Sequence, residues 1–264
     1  MKTSTLLEKV RYMKKAIQSS STALNFEEGA HILRDGLIAN IFIVSNKGKI
    51  LGNSLLKEFD CDYFKENIVE KGEFPSWYNE KFLLGTEESK INIVQESENC
   101  IFEKDNPFKC KYPPEVLALV PIMGEGRRLG TLLLHRFEGE FSIDDIALAE
   151  IGASIISMEM MRYREERKIE ETRYRTIIDV AFGSLSYSEL EAMEDIFKAI
   201  DGGEGIVVAS KIADNLGITR SVIVNALRKF ESAGIIDSRS LGMKGTYIKV
   251  KNPIFKEEIY KRIS

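Results

Sequence analysis

Five polar residues recur along one stretch with helical periodicity: Arg220, Ser221, Asn225, Arg228 and Lys229. Their types suit one chemistry. Arg and Asn can make paired hydrogen bonds to base edges in a DNA major groove, while Ser and Lys can hold phosphates. The alternate positions Val222, Ile223, Ala226, Leu227 and Phe230 repeat at three- and four-residue spacing, which gives the predicted helix an apolar face. Thr219 stands where it caps that helix. A shorter helix precedes it from Ala209 to Leu216, with Ser210 and Lys211 off its apolar face. Gly217 supplies the left-handed residue that ends that helix and turns the chain. Past Gly234, IIDSRSLGMKGTYIKV reads as two short strands joined at Gly242–Gly245, the wing of a winged helix-turn-helix, and it would bring Arg239 and Lys244 to the backbone or minor groove. A helical packing motif without a nucleic-acid partner shares the apolar pattern, so charge has to separate the two. Nine basic against three acidic residues between Gly205 and Lys256 give a net charge of +6, inside a chain whose total is −4. That local positive surface favours DNA.

The remaining chemistry-bearing residues exclude more than they suggest. His31 and His135 have no Ser, Cys or carboxylate constellation around them, and His135, at a strand end, reads as structural. Cys61, Cys100 and Cys110 lack metal-ligand spacing and leave an odd thiol in any disulfide scheme, which points to a reducing cytoplasm and no metal. The run Gly124–Gly130 superficially resembles a dinucleotide loop but lies between two strands. Asp214–Gly217 fits a loose GTPase pattern with no Walker A loop to accompany it. The chain is therefore expected not to be an enzyme. A nucleotide-processing enzyme is the alternative, and a regulator answering a different or redox signal through Cys61 or Cys100 is a further one.

The elements that must position these residues form an α+β pattern. Leu6, Val10, Met13 and Ile17 mark a first amphipathic helix, and Asn25 caps a second carrying Ile32, Leu33, Leu37 and Ile38. NIFIVSNKGKILGNS reads as a hairpin, Leu55–Lys81 as helical in two pieces broken at Gly72 and Pro75, Ile91–Val94 as a strand, and Asn99–Phe108 as a loop. VLALVPIMGEGRRLGTLLLHRF gives two apolar strands, so an antiparallel sheet with flanking helices is expected. Ser142 to Asp145 opens a long helix in capping-box style, apolar to Met161 and then charged to Arg175. Its apolar half could pack on its own sheet or serve a homodimer. A helix beginning at SYSELEAMEDIFKAI, capped by Ser186 or Ser188 and closed at Asp201-Gly202-Gly203, starts the C-terminal part. No stretch approaches the roughly 20 consecutive apolar residues of a membrane span, and MKTSTLLEKVRYMKKAI lacks the apolar core of a signal peptide. Aromatic residues gather between Tyr63 and Phe108 in loop-like sequence: Tyr63, Phe64, Phe74, Trp77, Tyr78, Phe82, Phe102 and Phe108.

These segments resemble the CodY family of bacterial transcription regulators. The likeness rests on SLSYSELEAMEDIF and ASKIADNLGITRSVIVNALRKFESAGIIDSRSLGMKGTYIKV, and on LRDGLIANIFIVSNKGKILG and VPIMGEGRRLGTLLLHR, so it covers nearly the whole chain. It implies a GAF-type sensing domain over residues 1–140, a long linker helix over 141–180 and a winged helix-turn-helix over 181–264. It also implies that a dimer, or a higher oligomer, binds A/T-rich palindromic operators and responds to isoleucine, valine or leucine and to GTP. Such regulators mainly repress nutrient-limitation, stationary-phase and virulence genes. By position the amino-acid pocket falls on Phe42, Phe74, Pro75, Tyr78 and Phe102, and the neighbouring Tyr63 and Phe64 of the aromatic cluster are candidates for the same pocket. The GTP site falls on Ser45, Lys47, Lys49, Glu159 and Arg164. One departure is visible. The family's carboxylate-binding arginine has no counterpart in Cys61-Asp62-Tyr63-Phe64-Lys65, and no arginine occurs between Arg34 and Arg127. A tyrosine hydroxyl or Lys65 is left to take that part.

Overall fold

Side chains alternate across a strand, and this decides where the cores of the N-terminal half form. The computed structural model describes residues 5–19, 25–95, 99–103, 108–110, 115–200 and 203–263. Two helices, α1 (Leu6–Ser19) and α2 (Phe26–Leu37), precede a hairpin of β1 (Asn40–Ser45) and β2 (Ile50–Ser54). The Asn25 side chain caps α2 by accepting from the Glu27 N–H at 3.1 Å. The side chains of Met13 and Ile17 lie outside the described residues. Next come two short helices, α3 (Asp62–Phe64) and α4 (Ser76–Tyr78), each running on as a π-helical turn, over Lys65–Val69 and Asn79–Leu83. Strands β3 (Lys90–Gln95), β4 (Glu115–Gly124) and β5 (Arg127–Arg136) complete an antiparallel sheet in the order β2-β1-β5-β4-β3. Of the expected loop from Asn99 to Phe108, residues 104–107 lie outside the described residues.

Ile41, Ile43, Ala118, Val120, Leu132 and Leu134 turn to one face and form a core with Leu33 and Leu37 of α2. Phe42, Val44, Leu117, Leu119 and Leu133 turn to the other face, against Ile68, Phe74, Tyr78 and Leu83. Helix is expected from Leu55 onward, but the chain is irregular up to Cys61. Two local contacts override helical propensity there. The Leu56 N–H is taken by the Asn40 side-chain oxygen at 2.7 Å, and Phe59 is drawn into the aromatic cluster, stacking on Phe137 at 5.8 Å.

Helix α5 (Ile143–Gly183) is 41 residues long. Ser142 and Asp145 cap it reciprocally, each side chain accepting from the other's backbone N–H, at 3.2 and 3.1 Å. Its first half adds Leu148, Ala149, Ala153, Ile156 and Met160 to the first core. Residues from Arg162 to Arg173 are all exposed, as their charge demands. The chain divides into two compact units, Met1–Tyr163 and Arg164–Ser264.

In the second unit, Ser186 rather than Ser188 caps α6 (Tyr187–Ala199), in a full capping box with Glu189. Strand β6 (Glu204–Val207), which the sequence pattern does not mark, pairs with the strand Thr246–Val250, and Asp201 and Gly202 before it lie outside the described residues. Then follow α7 (Ala209–Leu216), α8 (Arg220–Ser232), β7 (Ile236–Ser240), β8 (Thr246–Val250) and α9 (Phe255–Ile263), with the sheet ordered β6-β8-β7. Gly217 ends α7 at φ 66°. Thr219 stands at the N-cap position of α8, but its hydroxyl bonds the Ser221 hydroxyl at 2.7 Å instead of a backbone N–H. The core is aromatic at its centre, where Phe197 meets Phe255 at 4.5 Å and Phe230 at 5.7 Å. It also takes Ile178 and Ala181 from the end of α5.

Candidate ligand cavity and nucleic-acid interface

The aromatic face of the first sheet encloses a cavity of about 60 Å³. Phe42 on β1, Phe64 at the end of α3, Phe74, Tyr78 on α4 and Phe102 line it, five of the seven pocket residues expected from sequence. Their rings hold each other edge-on or stacked at 5–6 Å: Phe42 on Phe64 at 5.6 Å, Phe42 on Phe74 at 5.7 Å, and Phe74 on Tyr78 at 5.5 Å. Such ring pairs add roughly 0.5–1.5 kcal/mol each beyond area burial, so the wall is preformed. Tyr63 and Pro75 stand outside it. The Tyr63 hydroxyl donates to the Phe102 carbonyl at 3.3 Å and its ring packs on Phe108 at 5.2 Å, so it buttresses the wall from behind. Pro75 precedes α4 and its carbonyl accepts from the N–H groups of Tyr78 and Asn79. Lys65 pairs with Asp60 at 3.4 Å and does not line the cavity.

Polar groups that sequence spacing does not reveal line the cavity as well. Cys61, Cys100, Cys110, Glu115 and His135 all line the same cavity. Burial raises the Cys61 and Cys100 thiols above the ordinary range. Among the described residues no group of three or more His, Cys, Asp or Glu side chains is placed to hold a metal. Burial also pushes the Glu115 carboxyl up to about 7 and the His135 imidazole down to about 4. The two approach at 3.7 Å, yet desolvation outweighs their attraction and both are neutral between those values. The tautomer follows from Asn40. Its side-chain oxygen accepts from Leu56, so its amide nitrogen faces His135 Nδ1 at 3.1 Å and donates to it. The imidazole proton therefore sits on Nε2, which is buried without a hydrogen-bond partner.

In the second unit, α8 buries Ile223, Ala226, Leu227 and Phe230 and exposes Arg220, Ser221, Asn225 and Arg228. Ser210 at the start of α7 and Arg220 line a groove with Gly242, Met243 and Gly245 of the wing turn. Lys211, Thr219, Arg239 and Lys244 are also exposed. The structure departs from the sequence reading at Lys229. Its ammonium donates to the Glu189 carboxylate at 2.7 Å and to the Ser184 carbonyl at 2.8 Å, so it is an internal ion pair and not part of the exposed row.

Residues 5–184 match the family model described as the CodY GAF-like domain, and residues 203–262 match the CodY helix-turn-helix domain. The chain belongs to the CodY family. It is 48% identical over 259 residues to the global transcriptional regulator CodY of Clostridium botulinum (strain Hall), covering 98% of this chain and 99% of that one. Against the same regulator of Clostridium perfringens (strain SM101) the identity is 49%, with the same coverage. Among solved structures it is similar to the cofactor binding GAF domain of the nutrient sensor CodY from Clostridium difficile, at 29% identity and a TM-score of 0.41, over 60% of this chain and 99% of that one. Two of the five residues carried over from the CodY family for GTP are committed locally. The Ser45 hydroxyl accepts from the Lys49 N–H at 3.1 Å, and Glu159 pairs with Arg162 at 2.8 Å. Lys47 and Lys49 are exposed on the hairpin, and Arg164 is exposed on α5.

Strand parity was the signal for the residues missed on β4 and β5. Positions 115, 117, 133 and 135 share the face of Phe42 once the strands pair Phe42↔Leu133 and Leu117↔His135. The three cysteines gave no such signal, because they reach the cavity from irregular chain.

Proposed function

We propose that the chain is a DNA-binding transcriptional regulator, mainly a repressor, whose operator binding is set by small effectors held in its N-terminal unit. The reading is carried by the exposed row Ser221, Asn225 and Arg228, opposite the buried face of α8 and beside a groove shared with the wing. Reversing one charge in that row tests it. Arg228→Glu should weaken binding to an A/T-rich palindromic operator roughly tenfold to a hundredfold, the 1–3 kcal/mol of one base contact, with effector binding intact. Equal affinity for operator, measured by fluorescence anisotropy, would refute this reading face.

The effectors are a branched-chain amino acid in the aromatic cavity, isoleucine before valine or leucine, and GTP near Lys47 and Lys49. The chain acts by binding and not by turnover, in the cytoplasm, as a homodimer. Two-fold symmetry then presents two copies of α8 to palindromic half-sites. Ile151 and Met158, seven residues apart on α5 and 38% and 66% exposed, supply apolar surface suited to a second copy. Among the described residues no helix is long and apolar enough to cross a membrane. The genes controlled would be those of nutrient limitation, stationary phase and virulence.

A further inference from the structure

The polar end of the cavity selects for one kind of ligand group. Glu115 and the unpartnered Nε2–H of His135 meet there at 3.7 Å, too far apart to satisfy each other. His135 is 5% exposed, and no lysine or arginine lines the cavity among the described residues. A buried donor without a partner is destabilising, and a ligand that reaches it would recover that cost. We propose that Glu115 and His135 form the polar anchor of the cavity, and that the ligand is held by its ammonium group on the Glu115 carboxylate while His135 Nε2–H donates to a ligand oxygen. This rests on the amino-acid reading above and deepens it. The grip is on the amine, where an arginine would have gripped the carboxylate.

The groups facing Glu115 fix how that grip depends on pH. They are Cys61, Cys100 and Cys110 from the irregular chain, Tyr78 from α4 and His135 from β5. The Cys61 and Cys100 thiols and the Tyr78 phenol, all raised by burial, are neutral near pH 7, and so is His135. None of them neutralises the carboxylate, so a bound ammonium is its counter-charge. Free Glu115, with its carboxyl raised to about 7 by burial, must lose a proton when the ammonium arrives. The proton passes to solvent. Ligand affinity should therefore fall about tenfold between pH 8 and pH 6, and binding at pH 6 should release about 0.9 proton per ligand.

Calorimetric titration of the full chain with isoleucine, isoleucinamide and the α-keto acid counterpart of isoleucine tests this, in buffers of different ionisation enthalpy that count protons. The expected result is that the two amines bind with proton release and the keto acid does not. Glu115→Gln should bind isoleucine at least tenfold more weakly at pH 8, without the pH dependence. Tyr78→Ala should abolish binding, which places the event in this cavity. Isoleucine binding without proton release, with the keto acid equally bound, overturns the anchor and leaves the amino-acid reading standing. Binding of the amide alone supports the anchor and removes the amino-acid reading. If wild type binds none of the three, both fall. The proton count is made on wild type, so poor folding of Glu115→Gln would not shield the proposal.

Discussion

Replacing Lys229 by Met removes an ammonium that the Glu189 carboxylate needs. That carboxylate is buried, and it accepts from the Ser186 N–H at 2.8 Å and from Lys229 at 2.7 Å. Loss of the ammonium leaves it capped but without counter-charge, and the Ser184 carbonyl loses a donor at 2.8 Å. A hydrogen bond to a charged group contributes about 1.5–3 kcal/mol. Lys229 is 38% exposed, so water replaces part of it, and about 1–2 kcal/mol remains. In a unit of this size that lowers the unfolding midpoint by roughly 5–10 °C. Two probes separate the units. Trp77, the only tryptophan of the chain, reports the first unit, while far-ultraviolet circular dichroism follows both. Only the circular-dichroism transition should move. The Lys229 hydrogen bond is the main cause holding the Glu189 carboxyl below its ordinary range. A depressed folded value means the stabilisation is present in full above the ordinary carboxylate range and fades as pH falls through that folded value. The gap between wild type and variant should thus close below roughly pH 4. A wild-type midpoint for Lys229→Met, together with a salt slope of operator binding reduced by about one, would refute the argument and make Lys229 a phosphate contact.

Gly130→Ala should unfold the first unit, seen as a shift in Trp77 fluorescence. Its Cβ would be driven into the Val44 carbonyl, backbone that the β1–β5 pairing cannot move. Cys61 and Cys100 should alkylate slowly with iodoacetamide at neutral pH, with rates climbing only above the ordinary thiol range, because burial disfavours the thiolate. Alkylation at the rate of a free thiol at neutral pH would refute the burial argument.

What sequence made legible here is what depends on local periodicity. The two apolar strands after Glu115, the capped helices at Asn25 and Ser186, and the α7–Gly217–α8 turn follow from spacing alone. The residues that escaped are those whose partners lie far along the chain. Lys229 has a helical position fit for solvent, but its partner Glu189 is 40 residues away on α6, and no pattern within α8 reveals it. Tyr63 shares the aromatic cluster in sequence, yet its hydroxyl is spent on Phe102 across a separation of 39 residues. Glu115 begins β4, and no local pattern marks its side chain as inward-facing. The register Gln95↔Glu115 on one side and Leu117↔His135 on the other turns it inward.

The cavity and α5 use opposite faces of the same strands, and this limits how an effector can act. On β4, Leu117 and Leu119 face the aromatic side while Ala118 and Val120 face the core that α5 completes. A ligand at Glu115 therefore stands one backbone layer from α5, without need of contact. The helix is tied to the far end of β4 by the Ser157 hydroxyl, which donates to the Met123 carbonyl at 2.5 Å. There is little slack around that tie, since a Cβ on Gly124 would meet the Ser157 hydroxyl and the Met161 sulfur at 3.0 Å and Leu129 closer still. Close-packed contacts of this kind have few alternative arrangements, so strain at the cavity end of β4 is passed on and not absorbed. A ligand can bias α5 only by as much as its affinity differs between two such arrangements. At the Glu115–His135 end a charge must be created when an amine binds, and a group whose charge changes on binding is the part of the cavity best suited to carry a signal.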